Sequence, residues 1–198
     1  MAKYGVIEAT NILYSKPLSF QSNTIDIENG WFVQMGDSIE TTIGTTTFRE
    51  RSIYEALQPA TANLGKKAYV VDDPARTYYT QPADVNNPEN YIILKGVAFR
   101  VRDLEPNNEV SISDYTIDGD IAIGNFVTIV DGSYRLLAAA AEPDETVGFY
   151  GVIQDIYEDG FFVPIGPLGM PGNPGEGYGV DGRYKMINIR VVRNSNLS

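Results

Sequence analysis

The sequence contains no cysteine and no histidine. Without a thiol there is no disulfide, no cysteine nucleophile and no thiolate ligand. Without an imidazole, Ser-His and Cys-His catalysis and nearly every zinc centre are excluded. General acid–base chemistry would fall to Asp, Glu, Lys or Tyr alone, and the side chain that ordinarily changes charge between about pH 5 and 8 is missing. Positive charge is scarce too. The 15 Lys and Arg stand against 26 Asp and Glu, a formal net charge of −11 with a pI near 4.4. A polyanion is held by cationic cover and counterion release, so nucleic acid is not an expected partner, nor is an anionic membrane surface. The charge reads as a means of staying soluble and resisting premature association. Long apolar runs are also absent. None approaches the ~20 residues of a membrane helix, and the stretch from Met1 to Glu8 has one Lys and no signal-peptide h-region. The expected location is the cytoplasm, or an assembly built there and later released.

What is present points to sheet. The 198 residues suit one domain with appendages or two small domains, and a chain of this length can bury roughly 70% of its unfolded surface. With 43% hydrophobic and 21% charged residues it is a globular chain that can fold on its core alone. Turn dipeptides set the rhythm: Asn29-Gly30, Asp118-Gly119, Asp131-Gly132, Asp159-Gly160 and Asp181-Gly182 are all hairpin formers. Hairpins are predicted where Thr24–Glu28 meets Trp31–Met35, where Phe126–Val130 meets Ser133–Leu137, and where Ile153–Glu158 meets Phe161–Val163. Val97, Phe99 and Val101 alternate with Arg100 and Arg102, and Ile187, Ile189 and Val191 alternate with Asn188 and Arg190. A period of two with one apolar face describes a sheet with one side on a core. Helical signals are few. Thr47 to Leu57 fits a helix stripe or a strand, and the Ala138 to Ala141 run is cut off at Pro143, so at most one or two short helices are expected.

The expected fold is therefore mainly β, an antiparallel sandwich or barrel. An N-terminal arm covers residues 1–23, a β domain 24–163, a long Gly/Pro-rich loop 164–182, and a C-terminal strand over 183–198 returns to the β domain. Within the arm, Tyr4, Val6, Ile7 and Tyr14 have no clear hairpin partner. They read either as an edge strand plus loop or as a segment that docks on a partner. Between Pro164 and Gly182 lie seven of the 19 glycines and four of the 11 prolines, with Gly166, Gly169, Gly172 and Gly175 three residues apart. So few triplets cannot hold a collagen-like helix, and a polyproline-like surface loop is expected. Its sharper version is a threefold contact in a trimer, through residues such as Pro167 and Met170. Tyr78 and Tyr79 lie in a Pro/Asn-rich stretch. They either pack that loop onto the sheet or offer contact area to a partner.

No catalytic, metal or cofactor site is expected. The acidic pairs Asp72-Asp73, Asp118-Gly119-Asp120 and Asp144-Glu145 each sit in a predicted turn, where Asp is favoured for local hydrogen bonding, and none has EF-hand spacing. No phosphate-binding Gly-x-x-x-x-Gly-Lys-Ser/Thr motif occurs. Lys66-Lys67 reads as a solvated turn.

The order of several segments carries a resemblance. Asn29-Gly30-Trp31-Phe32-Val33-Gln34-Met35-Gly36-Asp37 is followed by Arg49-Glu50-Arg51-Ser52-Ile53-Tyr54-Glu55-Ala56, then by Tyr69-Val70-Val71. After these come Gly124-Asn125-Phe126-Val127, Tyr134-Arg135-Leu136 and Val147-Gly148-Phe149-Tyr150-Gly151-Val152-Ile153. Over residues 25–165 this order resembles the head decoration, or cement, proteins encoded beside the major capsid protein in tailed bacteriophages of Gram-positive hosts. The resemblance implies a non-enzymatic virion protein that is made in the host cytoplasm. It would bind the outer capsid surface, with the major capsid protein as partner, and stabilise the shell, often as a trimer at local threefold positions. Two other readings stay open: a tail, baseplate or head-fibre protein with host-binding tyrosines, and a carbohydrate-binding module or carboxylate glycosidase.

Overall fold

The computed structural model describes residues 5–11, 17–43, 45–73, 92–159, 162–164, 179–181 and 184–197. The fold is mainly β, with 54% of residues in strands and 4% helical. The expected choice between barrel and sandwich resolves into both elements, a small closed barrel packed on an open sheet.

The barrel is built from β2 (Pro17–Gln21), β3 (Phe32–Ile43), β4 (Thr46–Leu57), β5 (Ala68–Val71) and β6 (Ala98–Asp103) in the order β2-β4-β3-β5-β6. Four neighbouring pairs are antiparallel and one, β2 with β4, is parallel. Parity requires this: five strands in a closed ring cannot all alternate in direction. Phe20, Val33, Ala56, Tyr69, Val71, Phe99 and Val101 fill the interior, and an Ile27–Ile93 bridge closes with reciprocal 2.8 Å hydrogen bonds beside them.

The open sheet uses β1 (Ile7–Asn11), β7 (Glu109–Ser113), β8 (Ile117–Gly119), β9 (Phe126–Ile129), β10 (Leu136–Ala139), β11 (Phe149–Asp159) and β14 (Tyr184–Asn194). Their order is β1-β7-β14-β11-β9-β10-β8. β12 (Phe162–Pro164) and β13 (Gly179–Asp181) pair with each other and bracket the Gly/Pro-rich segment, whose residues 165–178 lie outside the described ones.

β5 is the wall shared by the two bodies. In Ala68-Tyr69-Val70-Val71 all four residues are buried, because alternate side chains face opposite ways. Tyr69 and Val71 enter the barrel core. Ala68 and Val70, with Phe32 of β3, join the sheet's core beside Ile112, Ile153 and Ile189. Phe32 meets Phe149 with ring centroids 4.7 Å apart. The buried Asn194 seals this seam, donating to the Ala68 and Leu104 carbonyls at 2.8 and 2.9 Å and accepting from Ala68 N–H at 2.9 Å.

Several sequence expectations are corrected. The Asn29-Gly30 turn forms, with Gly30 at φ +77, but Ile27 bridges Ile93 and β3 pairs with β4 and β5 instead of folding back on residues 24–28. Asn29 is committed elsewhere: its amide exchanges hydrogen bonds with the backbone of Asp73 at 2.9 and 3.0 Å. Beside Asp159, no pairing of β11 with β12 occurs among the described residues. β11 pairs along its length with β14, and β12 pairs with β13. The hairpin around Asp131-Gly132 does form between β9 and β10. The ambiguous Thr47–Leu57 segment is strand, and so is the start of the alanine run. The two helical pieces among the described residues are short 3-10 turns at Thr61–Asn63 and Asp114–Thr116.

Candidate functional site

A candidate contact surface lies on the sheet, beside its junction with the barrel. Tyr150 on β11 and Arg193 on β14 are direct cross-strand partners. The guanidinium of Arg193 lies 4.6 Å from the Tyr150 ring centroid and donates to the Glu145 carbonyl at 2.9 Å. Tyr150 is only 7% exposed, and its hydroxyl donates to Glu142 Oε1 at 3.0 Å. This platform fixes the 142–145 loop against the sheet. The opposite wall is the C-terminal segment, held by Ser195 N–H to the Gly148 carbonyl at 2.9 Å and Leu197 N–H to the Gly65 carbonyl at 2.7 Å. Gly148 lies so close to the Lys66 carbonyl that a Cβ there would collide with it.

Between these walls runs an open groove of about 830 Å³. Its floor and rim carry Val192 and Leu197, which are 39% and 37% exposed, and the acidic side chains of Glu142, Asp144 and Glu145. A second, smaller groove of about 420 Å³ on the barrel is lined by Asp37, Glu40 and Glu55 together with the partly buried Ile39.

The residues named from sequence fare differently. Val6 is 3% exposed and packs with Tyr184 and Met186, so it serves a core instead of offering a docking side chain. Ile7 is half-buried against the main core, opposite Ile112 at the sheet edge. Of the two readings for this segment, residues 7–11 follow the edge-strand one, and residues 17–21 belong to the barrel. Tyr4, Tyr14, Tyr78, Tyr79, Pro167 and Met170 lie outside the described residues.

The acidic pairs separate by role. Asp72 holds Arg100 and Arg102 in ion pairs, and Asp73 is buried, accepting from Arg100 N–H at 3.1 Å. Asp118 pairs with Arg135 at 3.3 Å, and Asp120 accepts from the Asn125 amide. Asp144 and Glu145 are the pair left facing the groove. Lys67 is no solvated turn residue. Burial pulls its pKa down, but the 2.7 Å hydrogen bond to Asp103 and the charges of Asp103 and Glu105 outweigh this and raise it.

Comparison with models of known protein families, with curated proteins and with solved structures finds no match. The groove was missed in the sequence because its parts are about fifty residues apart until β11 pairs with β14. One signal was available. The β14 alternation buries Ile187, Ile189 and Val191, which assigns Val192 to the outer face, where an apolar residue has no core to fill.

Proposed function

We propose that the protein is a structural component of a bacteriophage particle that binds the outer surface of the capsid and stabilises the shell. The observation that carries this reading is the open groove, which displays exposed apolar side chains and carboxylates to solvent. A groove open along its length accommodates a segment of another chain. Exposed apolar surface rimmed by polar groups is the usual mark of such contacts. The resemblance over residues 25–165 supplies the partner, the major capsid protein, and the oligomeric expectation of a trimer at threefold positions.

The mechanics need no chemical step. A β body with buried seams is a stiff clamp, and each copy that bridges neighbouring shell subunits adds a modest contact that multiplies over the lattice. Purified protein mixed with expanded shells lacking it is expected to co-sediment with them, and to leave unassembled capsid protein unbound. Equal binding to free subunits, or label confined to tails in immunogold images of virions, would overturn the reading.

A further inference from the structure

The groove's chemistry specifies its occupant. Glu142, Asp144 and Glu145 place three acidic side chains against one cation, Arg193, and that cation is already engaged by the Tyr150 ring and the Glu145 carbonyl. The carboxylates do not gather around a point: among the described residues no three acidic side chains are grouped to hold a metal ion. Carboxylates that do not converge suit separate cationic side chains better than a single ion. Opposite them Val192 and Leu197 present apolar surface that no other part of the described chain covers. The Tyr150 ring is shielded by Arg193 and by Phe126, whose centroid is 6.3 Å away, so it is not a free platform for a sugar.

We propose that this groove takes an extended segment of the capsid subunit that carries Lys or Arg beside an apolar residue. The cation faces Asp144 and Glu145, and the apolar side chain settles on Val192 and Leu197. This identification of the docking surface rests on the capsid-binding reading. Charge complementarity carries the assignment: the negative side chains lie beside the apolar contact, so a segment with a cation next to an apolar residue can meet both. The smaller groove has similar charge, but its apolar side chain, Ile39, is partly buried and offers less apolar surface than Val192 and Leu197.

The test measures binding of wild type, Asp144→Lys, Glu145→Lys and the distant control Asp37→Lys to expanded shells lacking the protein, at low and at high salt. Thermal unfolding first verifies that each variant is folded. The inference predicts that Asp144→Lys and Glu145→Lys each lose roughly tenfold or more in affinity, that Asp37→Lys binds as wild type does, and that wild-type binding weakens with salt. Leu197→Ala, which leaves charge untouched, is expected to weaken binding without changing its salt dependence. If wild type binds and the groove variants bind equally well, or all three charge variants weaken alike, the groove assignment is overturned while the capsid-binding reading stands. If wild type itself fails to bind intact shells, the capsid-binding reading falls and takes this assignment with it.

Discussion

At the scale of single residues, two side chains control more than their neighbours. Asn194 satisfies three backbone groups of the barrel–sheet seam at once, and all three are in a dry setting. Asn194→Ala would leave those groups unpaired and is expected to cost about 3 kcal/mol of stability, at roughly 1 kcal/mol for each lost bond, read as a lower urea midpoint. Glu8, at the exposed sheet edge, is one of two carboxyls among the described residues, with Glu28, whose pKa is raised. Burial, then the hydrogen bond and charge shared with Asp159, hold its carboxyl above the ordinary value of 4.5, partly offset by the Tyr157 hydroxyl, which donates at 3.1 Å. An acid that keeps its proton more tightly when folded contributes stability at low pH and loses it as pH rises through the folded pKa. Glu8→Gln cannot ionise. Its thermal midpoint should therefore decline less than that of wild type as pH rises above 4.5, and parallel curves would show that Glu8 has no such role.

At the scale of elements, local signals were legible and partner choice was not. The alternation in 97–102 and 187–191 identified β6 and β14, and Asp131-Gly132 identified the β9/β10 hairpin. The turn at Asn29-Gly30 was also real, yet its flanking strands go to different neighbours. A dipeptide specifies backbone curvature; which ladder forms depends on competing lengths and on distant hydrogen bonds such as Asn29 to Asp73. β5 shows the limit best. Ala68-Tyr69-Val70-Val71 reads as an unbroken apolar run, and only the fold reveals that one face fills the barrel while the other fills the sheet. Val70→Ala is expected to cost about 2 kcal/mol. Because β5 belongs to both cores, the variant should still unfold in one step. Fluorescence of Trp31, the only tryptophan, stacked 5.1 Å from Tyr134, should report the same midpoint as far-UV circular dichroism. Two separated transitions would mean that barrel and sheet are independent.

At the scale of the whole molecule, a five-stranded barrel and a seven-stranded sheet share one wall, and the groove lies on the sheet, with Leu197 at its rim tied to Gly65. The groove was invisible in the sequence because Tyr150 and Arg193 meet only through the β11–β14 register, and Leu197 is positioned by a bond to Gly65 of the barrel side. The same construction explains how its walls are held: Arg193 ties the exposed 142–145 loop to the sheet, and backbone bonds to Gly148 and Gly65 tie down the C-terminal segment. The measurement that tests the account most directly is cryo-electron microscopy of expanded shells incubated with the purified protein. The account predicts regular extra density on the outer surface, with the 142–145 loop and the C-terminal segment turned toward the shell. Intact shells that remain bare at saturating protein would contradict it.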